Sequence, residues 1–469
     1  MQVGDPTYSF DKAVELWALG GYSEATRGFK RAFVMQSVSA FVLAGGRNEG
    51  FGVLTRNRAK AALPFAGHYR LIDFALSSLA DSGVPRVGVI IQYLPGSLLD
   101  HVGTGLSWDY NGLQRRLKVM PPFVGVRDTQ WYQGSADALR KNLNFSHPER
   151  HGDIIICSGE HVYAMDFADA VRFHREKQAD LTIVAVEETS DKPSHRFGRV
   201  EFDPENKRVR RFVEKPSEIF SEWISNGMYI FKADVLVRAM GGFEGELLPM
   251  NLPKDVVEPL AAQGHTFAYP YRGLWHYLQD LGEYYESHQA LLRGDQSILP
   301  VIQDTRTNLM DRRLGSRAPA CFGANSEVSG SIVSPGCIIH GRVINSVLSP
   351  GVYVAAGAEV HDSILLHDTR VEAGTIVNRT ISDKDVVISP GCGIGVDAGR
   401  NQPNMELPGN AQDLTILGKG CLIGAGVQIS RGVQVYSSAM IEAGDPALKA
   451  GQQNLATGAE VSTLLPQAE

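Results

Sequence analysis

The sequence predicts an α/β protein in two parts: a doubly wound, mostly parallel sheet, then a C-terminal parallel β-helix. The first part, predicted for residues 38–300, is indicated by helical patterns, such as Phe167 to Lys177, that alternate with apolar runs at 39–44, 87–91, 153–157, 181–186 and 228–231. This alternation is typical of parallel sheets, whose ligands bind beyond the carboxyl ends of the strands.

The second part, predicted for residues 301–460, is indicated by glycines, short aliphatic pairs and a six-residue register. The register is clearest at Leu417, Ile423, Ile429, Val435 and Ile441. A period of six suits a β-helix that turns one aliphatic residue inward from each flat side. A β-sandwich of short strands would not keep that register. The polar stretch 397–412 predicts an excursion loop between two blocks of coils, and the coils after 412 are predicted to extend an oligomer interface or cap.

Composition excludes several classes of protein. The 469 residues exceed one ordinary core, and the 43% hydrophobic and 21% charged content is that of a globular protein. A net charge of −7 argues against a general nucleic-acid binder. No apolar run approaches the roughly 20 residues that span a bilayer, and the N-terminus lacks the features of a secretory signal. Five cysteines without a CxxC pair predict free thiols in a reducing cytoplasm.

Residues 1–37 precede the first predicted strand. The stretch AVELWALGGYSEATRGFKRAF predicts one or two amphipathic helices. The interpretation favoured for this N-terminal helical arm is packing or oligomer contact. The alternative is an effector site that uses Arg27, Lys30 and Arg31.

The segment FVLAGGRNEGFGVLTRNRAK, residues 41–60, predicts a phosphate-binding loop. A buried strand ends at Gly45 and Gly46, where backbone N–H groups can approach an anion without obstruction by a side chain. Arg58 and Lys60 close the loop and can place a cation on a phosphate. Shortly after it, Arg70 and Asp73 are predicted to form a structural ion pair rather than to bind a ligand.

Several motifs follow this loop in order. They are RAK (58–60), HYRLIDFALS (68–77), QWYQGSADAL (130–139), SGEHVYAMDF (158–167), RFVEKP (211–216), SNGMYIF (225–231) and DLGEYYE (280–286). Together they resemble the glucose-1-phosphate adenylyltransferase, or ADP-glucose pyrophosphorylase, family. The resemblance implies a nucleotidyltransferase-type sheet and a left-handed β-helix. It also implies conversion of ATP and α-glucose 1-phosphate to ADP-glucose and pyrophosphate in glycogen and starch synthesis, with Mg²⁺, a sugar-phosphate or nucleotide effector, and a tetramer.

The resemblance also assigns roles to individual residues. Lys60 is the implied catalytic lysine. The implied nucleotide-binding residues are Gly45, Gly46, Gln92, Gly134 and Asp137, and the implied glucose 1-phosphate-binding residues are Glu214, Lys215, Ser225, Gly227 and Tyr229. Ser135, Asn226 and Ala61 are small departures within these motifs.

Three larger departures fall on the triphosphate and the metal. Gly50 replaces the family arginine that clamps the ATP phosphates, in a loop where Asn48 also replaces a glycine. Glu160 replaces a magnesium-binding aspartate, and Asn251 aligns with a second one. Compensation is possible from Arg47 or Arg56 for the cation and from Asp255 for the carboxylate.

Two hypotheses therefore remain open. In the first, the chain is a weakly active or inactive binding subunit that regulates an active partner or itself, as a homo-tetramer or hetero-oligomer. In the second, it is a fully active adenylyltransferase, or another sugar-1-phosphate nucleotidyltransferase. A β-helix acyltransferase using His340, His361 or His367 is disfavoured. His151, His161, His265 and His276 lack metal-ligand spacing, and Cys157 is predicted to be an inert core thiol.

Overall fold

A computed structural model of the chain describes residues 34–46, 49–112, 114–122, 131–146, 152–188, 194–241, 248–311, 313–396 and 413–443, and the backbone of 460–461. Residues 1–33 of the predicted arm and the excursion loop 397–412 lie outside the described residues. So do Arg27, Lys30, Arg31, Arg47, Asn48 and His151.

The first part of the chain forms a nine-stranded, mostly parallel sheet. Its strands and those of two small two-stranded sheets are β1 (Val38–Leu43), β2 (Pro64–Phe65), β3 (Tyr69–Arg70), β4 (Arg86–Ile90), β5 (Arg116–Met120), β6 (Asp153–Ser158), β7 (His161–Tyr163), β8 (Leu181–Glu187), β9 (Arg199–Phe202), β10 (Val209–Val213), β11 (Trp223–Lys232), β12 (Thr266–Pro270) and β13 (Trp275–Tyr277). The order is β10-β9-β11-β6-β1-β4-β5, with β8 paired to β11 and β12 to β8. Strands β6, β1, β4 and β5 are parallel, whereas β11 runs antiparallel to β6 and β8.

Helices pack on both faces of this sheet, as the alternating pattern predicts. They are α1 (Leu71–Asp81), α2 (Gly96–Val102), α3 (Ser135–Asn142), α4 (Phe167–Glu176), α5 (Ala233–Gly241), α6 (Glu258–Gln263), α7 (Leu281–Leu292) and α8 (Ile298–Asp304). Short 3-10 helices span Gly52–Thr55, Lys60–Ala62, Leu106–Trp108 and Leu143–Ser146, and a π-helical turn spans Pro253–Val257. None of the helices among the described residues has the length and apolar character needed to cross a membrane.

The second part is a left-handed parallel β-helix. Its strands are β14 (Cys321–Phe322), β15 (Glu327–Ser329), β16 (Ile332–Val333), β17 (Ile338–Ile339), β18 (Arg342–Ile344), β19 (Val347–Leu348), β20 (Tyr353–Val354), β21 (Glu359–His361), β22 (Ile364–Leu365), β23 (Arg370–Val371), β24 (Ile376–Asn378), β25 (Thr380–Ser382), β26 (Val387–Ile388), β27 (Gly393–Ile394), β28 (Thr415–Leu417), β29 (Leu422–Ile423), β30 (Gln428–Ile429), β31 (Gln434–Val435), β32 (Met440–Ile441) and β33 (Glu460–Val461).

The β-helix strands form three all-parallel sheets, one on each flat side. The predicted six-residue register is confirmed, because Leu417, Ile423, Ile429, Val435 and Ile441 lie on five successive strands and all are at most 1% exposed. Each step of six residues therefore moves the chain to the next flat side and points an aliphatic side chain into the core of the coil.

The two parts share one hydrophobic cluster. Phe51, Val53 and Leu54, from the loop after β1, pack in it with β-helix residues such as Ile381 and Ile416. Each of these five side chains is at most 1% exposed. The loop predicted to bind phosphate therefore packs directly against the β-helix.

Candidate functional site

A cavity of about 500 Å³ opens at the carboxyl ends of β1 and β6. Most of the ligand-binding residues implied by the family resemblance line it, although they come from distant parts of the sequence. They are Gly45, Gly46, Gln92, Gly134, Glu160, Glu214, Lys215, Gly227, Tyr229 and Asn251. This is the position that the strand-end rule predicts for a ligand site in a parallel sheet.

Gly45 and Gly46, just after β1, line the cavity with backbone atoms alone, since glycine has no side chain. A Cβ atom on Gly45 would lie 2.8 Å from the backbone nitrogen of Gln92, so no larger residue fits between β1 and the chain after β4. A Cβ atom on Gly46 would meet nothing nearer than the Glu160 Oε1 atom, at 3.7 Å. Gly46 thus leaves open space for an anion near its backbone.

Gln92 fixes the loop that forms one wall of the cavity. Its Oε1 atom accepts a hydrogen bond from the Tyr132 backbone nitrogen at 2.7 Å, and its Nε2 atom donates to the Tyr132 carbonyl at 3.2 Å. The side-chain amide thus pairs with a backbone peptide group. A contact from Gln92 to a base would require a change in this pairing.

Gly134 and Asp137 shape the next turn of the same wall. A Cβ atom on Gly134 would lie 2.2 Å from the Met250 carbonyl oxygen, so this position requires glycine. Asp137 accepts hydrogen bonds from the Gln133 backbone at 3.0 Å and from Arg140 at 2.5 Å. Burial raises the pKa of Asp137, but these partners and Lys141 outweigh it and hold the pKa below its ordinary value. Asp137 is buried and anchors helix α3.

The predicted sugar-phosphate residues form the opposite wall. Lys215 is exposed and has a φ of +50°, a left-handed conformation that is strained for a residue with a Cβ atom. Burial raises the pKa of the neighbouring Glu214, despite the offsetting charge of Lys215. Lys215 and Glu214 both line the cavity.

The SNG segment interrupts the pairing of β11 with β8. The register shifts between Ser225 and Tyr229, and Gly227 has a φ of +78°. The Ser225 hydroxyl donates to the Tyr229 hydroxyl at 3.1 Å and accepts from the Gly227 backbone nitrogen at 3.3 Å. Asn226 points the other way and accepts from the Met228 backbone nitrogen at 3.1 Å. Gly227 and Tyr229, in and after this bulge, both line the cavity.

Lys60 and Glu160 form an ion pair at the back of the site. The Lys60 Nζ atom is 3.5 Å from Glu160 Oε2, and the lysine side chain is fully buried. Burial lowers the pKa of Lys60 although Glu160 opposes the shift, and burial raises the pKa of Glu160 although Lys60 opposes it. The Tyr277 ring centroid lies 4.9 Å from Nζ. The cavity thus retains a carboxylate and an adjacent cation.

His161, the last residue of the GEH motif, is a packing residue. Its Nδ1 atom accepts a hydrogen bond from the Trp275 indole at 3.2 Å, and its ring packs edge-to-face on Tyr277. Burial, assisted by the charge of Lys60, lowers the pKa of His161 to about 3. The imidazole is therefore neutral near pH 7.

Arg56 and Arg58, near the end of the predicted phosphate loop, contact the β-helix. Gly50 is exposed, and its carbonyl accepts a hydrogen bond from the Leu281 backbone at 3.2 Å. The Arg56 guanidinium lies 3.8 Å from the centroid of the Tyr436 ring. Arg58 donates to both carboxylate oxygens of Asp383, at 2.7 and 2.8 Å. The prediction that Arg58 closes the phosphate site is therefore wrong in this structure, because Asp383 binds its guanidinium.

Asn251 and Asp255 have structural partners at the cavity rim. Asn251 Oδ1 accepts a hydrogen bond from the Lys254 backbone at 2.9 Å. Asp255 Oδ2 accepts from the backbone nitrogens of Met250 and Asn251, at 2.8 and 2.7 Å. Asn251 lines the cavity, whereas the Asp255 carboxylate caps the start of a helical turn.

Asp280 is a candidate carboxylate to which the sequence analysis gave no role. Strand β13 pairs with β7 so that Tyr277 lies opposite His161, and Asp280 follows three residues later. The next residue, Leu281, bonds to Gly50 in the phosphate loop. Asp280 Oδ1 accepts from the Glu283 backbone at 3.0 Å and begins helix α7. Asp280 is the first residue of the motif DLGEYYE, which is the feature of the sequence that could have identified it.

The remaining candidates have packing roles. Arg70 and Asp73 do not form the predicted ion pair: Arg70 binds Asp311 at 2.9 Å, and Asp73 binds His101 at 2.5 Å. Asp73 Oδ2 also accepts from the Arg70 backbone nitrogen, at 2.9 Å. Burial raises the pKa of the Cys157 thiol to about 12. His265 is exposed and His276 lies 3.4 Å from the Ser287 hydroxyl.

Comparison with known proteins identifies the family. A family model described as nucleotidyl transferase matches residues 39–294, and a GlmU-like C-terminal hexapeptide model matches residues 319–411. The glucose-1-phosphate adenylyltransferase of Desulfitobacterium hafniense (strain Y51) is 34% identical over 406 residues, which cover 84% of this chain and 97% of the relative. That of Acetivibrio thermocellus is 32% identical over 435 residues, covering 89% and 99%. The chain belongs to the glucose-1-phosphate adenylyltransferase family.

Membership in the glucose-1-phosphate adenylyltransferase family confirms the resemblance seen in the sequence and its fold class. Across the part of the chain that the structure describes, the cavity included, no three or more His, Cys, Asp or Glu residues gather as a metal site. In the β-helix, His340 packs edge-to-face on Tyr353, His361 bonds to Glu359 at 2.8 Å and His367 is buried.

Proposed function

We propose that the cavity binds ATP and glucose 1-phosphate, and that this chain is a weakly active or inactive regulatory subunit of an ADP-glucose pyrophosphorylase. The observation that carries the proposal is the exposed glycine at position 50. Arg56 and Arg58, the nearest described arginines in sequence, contact Tyr436 and Asp383 of the β-helix. The sugar-phosphate wall of the cavity retains the residues that the family uses.

The sugar phosphate is assigned to the wall formed by Lys215, Glu214 and the SNG bulge. The Lys215 ammonium group is suited to hold the phosphate as a point charge. The Glu214 carboxylate can accept hydrogen bonds from sugar hydroxyls, and the backbone at Gly227 leaves room for the sugar ring because it carries no side chain.

The nucleotide is assigned to the Gly45–Gly46 side of the cavity. In the family reaction, a phosphate oxygen of glucose 1-phosphate attacks the α-phosphorus of ATP. The bond from that phosphorus to the bridging oxygen breaks, and pyrophosphate leaves with the electron pair. Lys60, which is buried as the cationic partner of Glu160, is the residue to which we assign stabilisation of the negative charge that develops during this exchange.

The site can hold Mg²⁺, but with fewer protein carboxylates than the family pattern implies. The ion commonly binds proteins through one or two carboxylates together with substrate phosphates. Glu160 is the cavity carboxylate that would hold it. Asp280, three residues after strand β13, is not among the described lining residues. When bound, the ion would neutralise phosphate charge. The ion pair with Lys60 competes for Glu160, because the carboxylate already has a cationic partner.

Transfer is expected to be slow because one phosphate-binding cation is missing. Nucleotidyl transfer depends mainly on positioning and on neutralisation of phosphate charge. Loss of one stabilising group of this kind commonly lowers kcat by about 10²–10³-fold. Glycine at position 50 and asparagine at position 251 both remove charge from the triphosphate half of the site.

A fully active enzyme is the second candidate function. It is favoured by the Lys60–Glu160 pair, which retains a cation and a carboxylate in the cavity, and by Asp280 beside the phosphate loop. A sugar-1-phosphate nucleotidyltransferase with another base or sugar is a variant of this candidate. Assays with a panel of nucleoside triphosphates and sugar 1-phosphates distinguish these substrates.

Calorimetric titration tests ligand binding separately from turnover. The chain is expected to bind glucose 1-phosphate, and Lys215→Ala is expected to weaken that binding. Lys207→Ala is a matched control, since Lys207 also has a left-handed backbone, with a φ of +67°, but lies outside the cavity lining. Equal loss in both variants, or no binding by the wild type, would contradict the proposal.

A gain-of-function series tests the cause of slow transfer. Gly50→Arg with Glu160→Asp and Asn251→Asp is expected to raise the rate of pyrophosphate release. Unchanged turnover in a folded triple variant would show that the missing charges are not the cause. We also infer a cytoplasmic homo-tetramer or a hetero-oligomer with an active subunit, controlled by a sugar-phosphate or nucleotide effector. Sedimentation with and without such ligands tests that assembly.

A further inference from the structure

Residues 52–58, the second half of the phosphate loop, make contacts that the ligand-binding scheme does not use. Asn57 Nδ2 donates to the Ser437 hydroxyl at 2.8 Å, and Arg56 stacks on Tyr436 at 3.8 Å. A Cβ atom on Gly52 would lie 2.4 Å from Gln434 Oε1, so this stretch of backbone lies directly against that side chain. Three residues of the loop, Gly52, Arg56 and Asn57, therefore touch one short segment, Gln434 to Ser437.

The segment 434–437 is held in the β-helix by strand pairing and by a buried side chain. It begins with strand β31, which pairs in parallel with β28, and Val435 is fully buried inside the coil. Tyr436 packs against the hydrophobic cluster shared by the two parts of the chain. The segment also lies after residue 411, where the match to the hexapeptide family model ends. The segment is thus part of the packed β-helix, and the match to the hexapeptide family model does not extend to it.

Movement of residues 52–57 would be transmitted directly to residues 49–51. Backbone hydrogen bonds join Gly52 to Glu49 at 3.1 Å, Leu54 to Phe51 at 3.1 Å and Arg56 to Val53 at 3.3 Å. The turns are contiguous, so no flexible spacer separates the part held by the β-helix from Gly50. A loop that is fixed before binding loses less conformational entropy when a ligand binds.

We propose that Gln434, Tyr436 and Ser437 are positioning residues for the nucleotide, acting through residues 52–57 of the phosphate loop. The identity of the ligand rests on the proposed function, whereas the ordering of the loop does not. The sugar-phosphate wall comes from β11 and the Glu214–Lys215 turn, which make none of these contacts. The effect is therefore specific to the nucleotide half of the cavity.

The fold does not depend on these polar contacts alone. Phe51, Val53 and Leu54 are buried in a cluster to which many side chains besides Tyr436 contribute, so they are expected to stay packed when Tyr436 or Ser437 is truncated. Tyr436→Ala/Ser437→Ala is therefore a suitable test variant. Tyr436→Phe keeps the ring face for Arg56 and is expected to behave as the wild type. Leu422→Ala removes an exposed side chain, 42% accessible, from strand β29 on a different flat side of the β-helix and serves as the control.

Hydrogen exchange and calorimetry of the full chain test the proposal together. In the double variant, the amides of Gly52, Leu54 and Arg56 are expected to exchange faster. The Kd for ATP with Mg²⁺, measured without sugar phosphate, is expected to rise about three- to tenfold, from the loss of one stacking contact and one hydrogen bond. The Kd for glucose 1-phosphate is expected to stay constant. Arg56→Gln removes the same stacking contact from the loop side and should add little to Tyr436→Ala.

The possible outcomes separate this proposal from the proposed function. Unchanged exchange and unchanged ATP affinity in the double variant would overturn the positioning role, as would equal weakening of both ligands. If Tyr436→Ala/Ser437→Ala does not fold, Arg56→Gln decides by the same measurements. If the wild type binds no ATP, the proposed function fails, and hydrogen exchange alone then supports or overturns the ordering of the loop by Tyr436 and Ser437.

Discussion

The buried ion pair between Arg58 and Asp383 is expected to be a major tie between the two parts of the protein. The Arg58 guanidinium donates to the two carboxylate oxygens at 2.7 and 2.8 Å, and both side chains are at most 3% exposed. Removal of one partner of such a pair typically costs about 3–5 kcal/mol, since it leaves a buried charge without its counter-ion. Arg58→Met and Asp383→Asn are the variants that test this expectation.

The surroundings predict that the two variants differ in cost. Asp383 also accepts a hydrogen bond from the Lys384 backbone at 2.7 Å. Burial lowers the pKa of the Lys384 side chain far below its ordinary value, and the charges of Arg70 and Arg58 lower it further. Without Arg58, Lys384 more readily binds a proton and partly compensates Asp383. Without Asp383, Arg58 stays buried among cations. Asp383→Asn is therefore expected near 5 kcal/mol and Arg58→Met near 3 kcal/mol.

Urea unfolding measures both losses, followed by circular dichroism and by tryptophan fluorescence. The two signals must coincide for the free energies of unfolding to be compared, because a chain of this size can unfold in steps. Arg58→Met/Asp383→Asn removes both charges and is expected to lose less than the sum of the two single variants. Additive losses, or losses below about 1 kcal/mol in both single variants, would refute the reasoning, since exposed pairs contribute about that much.

Three further predictions concern the cavity and the core. Lys215→Ala is expected to raise the Kd for glucose 1-phosphate about ten- to a hundredfold in calorimetry, from the loss of a charged hydrogen bond; an unchanged Kd would contradict the role given to the lysine. Gln92→Leu leaves the Tyr132 backbone without its side-chain partners and is expected to weaken ATP binding about tenfold, with glucose 1-phosphate as the unaffected control. Burial lowers the pKa of His161, His174 and His288 to about 3, 4 and 4. Because only the unfolded chain protonates these histidines between pH 6.5 and 4, each is expected to reduce stability by about 2 kcal/mol at pH 5; a free energy of unfolding that does not fall between pH 7 and 5 would contradict this sign.

The fold was predictable because its signals are local and periodic. Strand β1 observed at Val38–Leu43 matches the apolar run 39–44, and helix α4 at Phe167–Glu176 matches the helical pattern. The coil register was equally predictable, since a residue such as Val435 must face inward when its neighbours at six-residue spacing do. Periodicity decides which face of an element is buried, and this is sufficient for the architecture.

The partners of individual charges were less predictable, because they lie far apart in sequence. Arg58 is bound by Asp383, 325 residues later, and no local pattern contains that information. Arg70 likewise binds Asp311 instead of the nearby Asp73. A spacing of three residues suggested a pair, but Asp73 instead binds a backbone nitrogen at the start of α1.

The motifs predicted most of the residues that line the cavity, but they did not show which of these side chains already have hydrogen-bond partners within the protein. Lys215 and Gly227 line the cavity as the resemblance implies. Gln92, by contrast, has its amide paired with a backbone group, and Asp137 binds within its own helix. Asp280 had no assigned role in the motif DLGEYYE, because its position depends on the pairing of β13 with β7, two strands that are more than 100 residues apart in sequence.

The most direct test of the central claim is steady-state turnover of the purified chain with ATP, Mg²⁺ and glucose 1-phosphate. Ordinary enzymes turn over at about 1–10³ s⁻¹. With glycine at position 50 and asparagine at position 251, pyrophosphate release is expected at least about 10²-fold below that range, although both substrates bind. A turnover number of about 1 s⁻¹ or more would contradict the account and assign the chain as a working adenylyltransferase.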